Sequence, residues 1–148
     1  MAVVTLAQLK SYFNKGDKPT EAQFVDTIDT LAGGGAYKSY MATLTQIGTA
    51  APTIVSNGTG ANTPLENSLG GAIVWTRTGV GAYVGTLTGA FTANKTVLLP
   101  SQSQASDSHV TMSIASADAV NLNTFNAAQT VTADNRLNTV PIEIRVYL

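Results

Sequence analysis

The chain has 148 residues, a formal net charge of −1 and 11% charged side chains, against about 25% in an average soluble domain. Eight scattered Lys and Arg residues do not form the basic surface that nucleic-acid backbones require, so we expect no nucleic-acid partner. The sequence has neither a signal peptide at its start nor an apolar run of roughly 18–20 residues, so we expect a chain made in the cytoplasm without a membrane segment.

The first 32 residues have the apolar spacing of two short helices. Thr20 followed by Gln23 is the pattern of a capping box, and Thr5 with Gln8 repeats it. Each cap precedes apolar residues at helical spacing, and helices this short need a surface to pack against. We therefore predict a helical hairpin over residues 1–32 that acts as an anchor. Its buried, partner-binding side chains are expected to be Leu6, Leu9, Phe13, Phe24, Ile28 and Leu31.

Three consecutive glycines at 33–35 predict a hinge, because glycine has the greatest backbone freedom. Beyond them the apolar period becomes that of strands, and no helical pattern lies between the strand candidates. Short strands with regular spacing predict a mainly β domain over residues 36–148, an antiparallel β-sandwich or jelly-roll-like fold, with a barrel as the open alternative. The strand candidates are 36–47, 53–55, 72–78, 82–88, 96–99, 109–115, 119–125, 129–132 and 140–148.

The residue types that carry chemistry are sparse. The chain has no cysteine, which excludes thiolate metal sites and cysteine nucleophiles. Its one histidine, His109, follows Asp107 and Ser108, but neighbours in a strand point to opposite faces and cannot form a catalytic triad. Asp26 and Asp29 are one helical turn apart, which is typical of a solvated helix face. We therefore predict no enzyme, no catalytic residue, no metal site and no cofactor.

Trp75, Arg77 and Tyr83 lie on the two arms of one predicted β-hairpin. Trp, Tyr and Arg dominate binding hot spots, so one hypothesis is that these three residues contact a ligand such as a glycan. The alternative is that Trp75 belongs to the core and that Arg77, on the same face by period two, marks its rim. The sequence favours the second interpretation, because large aromatic side chains usually supply core area.

Three stretches of the sequence resemble proteins of tailed bacteriophages. Gly16 to Thr20, followed by Phe24, Ile28 and Asp29, is similar to an N-terminal segment of many phage fibre proteins, in which the motif GDKPT joins two helices. The stretches 37–53 and 65–97 resemble a β-module of virion proteins from phages of Bacteroidetes. The segment 53–64 departs from that module, and residues 98–148 have no such resemblance.

The resemblance implies a homotrimeric fibre or decoration protein of the virion, assembled in the host cytoplasm. Its N-terminal helices would bind the capsid or another virion protein, and its β-domain would project outward. The short chain favours a head fibre of the crAss-like phage type. A tail fibre and a module that binds a host-surface glycan are the alternatives, and a small depolymerase at a subunit interface is the least favoured.

Overall fold

The structure is a computed structural model that describes residues 6–13, 18–33, 37–55, 62–101, 109–126 and 128–148, and only the backbone of residues 6 and 29–33. The chain divides into two compact units, Met1–Ala36 and Tyr37–Leu148.

The first unit contains the helices α1 (Leu6–Tyr12) and α2 (Glu21–Gly33). The capping box at the start of α2 is present: the Thr20 amide donates to Gln23 Oε1 at 2.8 Å, and the Gln23 amide donates to Thr20 Oγ1 at 3.3 Å. These bonds satisfy backbone donors that have no partner within the helix. Glu21, in the first turn, complements the positive end of the helix dipole. The helix includes Gly33, so the first glycine of the predicted hinge belongs to α2, while residues 34 and 35 lie outside the described residues.

The second unit is mainly β and contains two antiparallel sheets. The first sheet has the order β2-β1-β9-β6, and β3 also pairs with β1. The second sheet has the order β4-β5-β8-β7. The strands are β1 (Tyr37–Thr45), β2 (Thr53–Ile54), β3 (Glu66–Asn67), β4 (Val74–Gly79), β5 (Ala82–Thr86), β6 (Thr96–Pro100), β7 (His109–Ser116), β8 (Ala119–Phe125) and β9 (Val140–Tyr147).

One hydrophobic cluster takes buried side chains from both sheets. β1 and β9 contribute alternate residues, as expected for strands with one buried face. Trp75 in β4 lies opposite Gly85 in β5, and a Cβ on Gly85 would stand 2.9 Å from the indole ring. Gly85 therefore leaves the space that the largest core side chain occupies. The cluster comprises Tyr40, Ala42, Leu44, Leu69, Ile73, Trp75, Tyr83, Phe91, Val110, Val120, Leu122, Leu137, Val140, Ile142, Ile144 and Val146.

Several predicted strand ends lie one or two residues from those in the structure, and three differences have a physical explanation. The predicted strand at 129–132 is wrong, because this segment has only an isolated bridge between Phe125 and Thr132. Pro100 was predicted to follow β6 but is its last residue, which an edge strand tolerates since no second neighbour needs the missing N–H. The two-residue strand β3 was not predicted, because its pairing with β1 is long-range and too short to produce an alternating pattern.

Candidate functional site

The first unit exposes large apolar side chains. Phe24 and Ile28 in α2 are 56% and 48% exposed, Val25 beside them is about half exposed, and Phe13 after α1 is 54% exposed. Leu9 in α1 is half-buried, whereas the side chains of Leu6 and Leu31 lie outside the described residues. Residues 24, 25 and 28 fall on one side of a helix, so α2 presents a continuous apolar stripe.

The structure buries the two aromatic rings of the hairpin that one hypothesis assigned to a ligand contact. Trp75 is 7% exposed and Tyr83 is 1% exposed, and both belong to the core cluster. The two side chains come together because β4 and β5 pair in register, with Arg77 directly opposite Tyr83. The alternative interpretation fits these positions, since Trp75 fills the core and the half-buried Arg77 lies at its rim.

Arg77 and Tyr83 meet at a carboxylate that the sequence analysis did not single out. Asp134 Oδ2 accepts a hydrogen bond from Arg77 Nη2 at 2.6 Å. Its Oδ1 accepts bonds from Arg77 Nε at 3.1 Å, from the Gly81 amide at 2.9 Å and from the Tyr83 hydroxyl at 3.1 Å. One carboxylate therefore ties both arms and the turn of the β4–β5 hairpin to the segment before β9. We call these four residues the Asp134 network.

The electrostatics of the Asp134 network favour a permanently charged pair. The hydrogen bonds from Arg77, and then those from Gly81 and Tyr83, lower the pKa of Asp134 from 3.8 to about 2. Burial raises the pKa of Tyr83 to about 12, so its hydroxyl stays protonated and can donate. A carboxylate with a pKa this low and with all its partners inside the fold is a poor proton acceptor. The network is therefore a structural clamp rather than acid–base machinery.

A groove of about 330 Å³ lies beside the edge of the second sheet. Its described lining includes Tyr40 of β1, Ile54 of β2 and the run Ile73–Trp75, with no charged side chain. The indole N–H of Trp75 points to the Tyr40 hydroxyl at 3.5 Å, a long contact for a hydrogen bond. Because Trp75 contributes to the lining, a small apolar group in the groove would contact its side chain.

Of the other candidates from the sequence, the structure describes the side chains of His109 and Asp26. His109 lies in β7 with its ring 6.1 Å from that of Phe125, while Asp107 and Ser108 lie outside the described residues. Asp26 is in α2, and the side chain of Asp29 is also outside them. Among the residues that the structure places, no three His, Cys, Asp or Glu side chains are arranged to hold a metal ion.

The surfaces of the two units therefore offer an apolar helix stripe and sheets of low charge. None of the helices in the described ranges combines the length and the apolar character needed to cross a membrane. No protein-family model, curated protein or solved structure matches the chain, so these surfaces are the basis for assigning a function.

Proposed function

We propose that the protein is a structural component of a bacteriophage virion, a small homotrimeric head fibre. Its N-terminal helices bind the capsid, and its β-unit projects outward as an antiparallel β-sandwich preceded by a helical hairpin. The protein works through contacts with copies of itself and with virion proteins, not through catalysis. The observation that carries this proposal is the exposed apolar stripe of α2, formed by Phe24, Val25 and Ile28.

Exposure of the stripe to water is energetically unfavourable. Fully burying a Phe, Val or Ile side chain is worth about 1.5–3 kcal/mol, so covering the exposed half of these three contributes roughly 2–4 kcal/mol. A helix of 13 residues is marginal in isolation and gains most of its stability from packing of its apolar face. A virion partner that covers the stripe would therefore hold the protein and stabilise the helix together.

The chemistry of the β-unit supports a passive role. The Asp134 network is engaged in holding a hairpin to the rest of the unit. The whole chain carries 17 formally charged side chains, 8 basic and 9 acidic, in 148 residues. Proteins with little net charge tend to associate, which suits a subunit that is covered by its neighbours. The similarity of Gly16 to Thr20 to phage fibre proteins, and of 65–97 to a β-module of virion proteins, agrees with this role.

A second candidate, a tail fibre or receptor-binding module that recognises a host glycan, is favoured by the groove beside Trp75. Trp75 and Tyr83 are buried, so such a module would use the groove lining rather than exposed rings. This candidate requires saturable sugar binding by the purified protein. The head-fibre proposal requires attachment to the particle and does not depend on sugar binding.

Changing Phe24→Ser and Ile28→Ser together should strongly reduce incorporation into particles. Each change removes about 1–1.5 kcal/mol of contact, so attachment weakens more than tenfold, while Phe, Ile and Ser have similar helix propensities. The measurement is the number of copies per purified particle, by quantitative gel or mass spectrometry, after complementation of a phage that lacks the wild-type gene.

The matched control is Ala22→Ser with Asp26→Ser, which places the same two serines away from the stripe on the same helix. This control should be incorporated like the wild type. Normal incorporation of the Phe24/Ile28 variant, with circular dichroism showing that it is folded, would contradict the anchor assignment.

A further inference from the structure

One face of the first sheet exposes several large apolar side chains. We define this outer face by the residues that alternate with the core positions in its three longest strands. Four of them, Met41, Val97, Leu99 and Tyr147, are large hydrophobic side chains with exposures of 39–42%. The outer face consists of Tyr37, Ser39, Met41 and Thr43 in β1, Pro141, Glu143, Arg145 and Tyr147 in β9, and Val97 and Leu99 in β6.

The corresponding face of the second sheet has a different character. Most of its side chains are small and polar or β-branched. The half-buried rings of His109 and Phe125 lie at one end, and Val74 is its one strongly exposed large hydrophobic residue among those described. Contiguous exposed apolar surface marks an interaction site, whereas scattered apolar residues are normal. The contrast therefore assigns a binding role to the outer face of the first sheet. The corresponding face of the second sheet includes Thr76, Thr78, Val84, Thr86, Thr111, Ser113, Asn121 and Asn123.

The charges of the outer face are matched within it. Glu143 accepts a hydrogen bond from Arg145 at 2.5 Å, so the centre of the face carries no net charge. The strand register places Met41 and Leu99 on either side of Glu143, and Val97 beside Arg145. Glu66 in β3 is opposite Met41 and adds one exposed carboxylate at the rim. The centre of the face is therefore a neutral ion pair flanked by apolar side chains, which suits a surface of the same kind, not a polyanion or polycation.

The largest side chains of the outer face are already ordered. The ring centroids of Tyr37 and Tyr147 are 5.4 Å apart, and the guanidinium carbon of Arg145 lies 4.9 Å from the centroid of Tyr37. Aromatic, Arg and Met side chains are enriched at interface centres. Since these groups hold one another in place, little conformational entropy is lost when a partner covers them.

We infer that the outer face of the first sheet packs against the same face of two further copies around a threefold axis. A triangular prism of sheets four strands wide has sides of about 19 Å and an inner radius of about 5.5 Å. That radius is about half of the ~10 Å distance at which sheets pack face to face, so the side chains of three such faces fill the centre. The number three rests on the proposed function, whereas the choice of face rests on the surface itself.

The absence of cysteine from the sequence makes proximity at the axis directly measurable. Met41→Cys places a thiol at the middle of the outer face. Val84→Cys places one at the middle of the corresponding face of the second sheet. Both variants of the whole chain are treated with a short bismaleimide, and covalent products are separated on a denaturing gel. We expect Met41→Cys to give cross-linked dimers at least tenfold more abundantly than Val84→Cys, which reports random collisions.

The outcomes separate this inference from the proposed function. Light scattering on the same samples gives the oligomeric state. A trimer in which Val84→Cys cross-links and Met41→Cys does not, or in which neither does, overturns the choice of face and leaves the fibre proposal standing. A monomeric wild type with no cross-linking overturns both. Thermal melting of the two variants confirms that each is folded.

Discussion

Replacing Gly81 by alanine is expected to destabilise the β-unit by about 3 kcal/mol or more. Gly81 has a φ of +60° in the turn between β4 and β5, and a Cβ there would lie 2.4 Å from the Ala133 nitrogen and 2.6 Å from the Thr124 oxygen. Left-handed backbone costs a non-glycine residue about 1–2 kcal/mol, and forced overpacking adds roughly 1–3 kcal/mol. The clash involves backbone atoms, so the hairpin must move away from the segment that carries Asp134.

Two other glycines separate these contributions. Gly89 has a φ of +66° with open space around its Cβ position, so Gly89→Ala should show only the conformational cost. Gly79, in the same hairpin as Gly81, has ordinary φ and an ordinary 3.8 Å contact, so Gly79→Ala should have little effect. In urea unfolding, Gly81→Ala should lose the most unfolding free energy, Gly89→Ala less, and Gly79→Ala the least. Equal stabilities for Gly81→Ala and Gly79→Ala would show that the described packing of the turn is wrong.

Removing the carboxylate in Asp134→Ala is expected to cost about 2–4 kcal/mol of unfolding free energy. The Gly81 amide and the Tyr83 hydroxyl are buried donors that both bind Asp134, and a buried donor without its partner costs about 1–3 kcal/mol. Asp134→Asn keeps one acceptor oxygen and should fall between the wild type and Asp134→Ala. The control is Glu66→Ala, an exposed carboxylate of the same unit, which should change stability by less than about 0.5 kcal/mol.

The same residue gives a pH dependence whose sign follows from its lowered pKa. The pKa of Asp134 is about 2 in the fold against an ordinary value of 3.8. Its contribution to stability is therefore fully present above pH 3.8 and is lost as the pH falls through about 2. We expect the difference in melting temperature between the wild type and Asp134→Asn to shrink over that range. A difference that stays constant from pH 5 to pH 2 would contradict the role assigned to this carboxylate.

Local patterns in the sequence predicted the elements that are specified by their own residues and not by contacts with distant parts of the chain. β9 was predicted at 140–148 and spans Val140–Tyr147, with Ile142, Ile144 and Val146 buried on one side. Its alternation decided the assignment, because a half-buried strand must change face at every residue. The capping box at Thr20 is equally local, since both of its hydrogen bonds span three residues. Leu148, predicted to share the buried side, lies beyond the strand and is exposed.

Contacts between distant parts of the chain could not be predicted in this way. Asp134 is 57 residues from Arg77 and 51 from Tyr83, and no local pattern marks it as their partner. Strand β3 exists because β1 offers a free edge, which the sequence of residues 66 and 67 does not reveal. The burial of Trp75 and Tyr83 depends likewise on both sheets contributing to one core. The aromatic content of the hairpin alone favours a core but is also compatible with a ligand site.

The proposed role requires the protein to function as one of several identical subunits. The most direct test is the mass of the purified protein in solution, measured by light scattering across a range of concentrations. We expect a stable species of about three times the 15.3 kDa chain mass. A species with the mass of a single chain at every concentration would contradict the account.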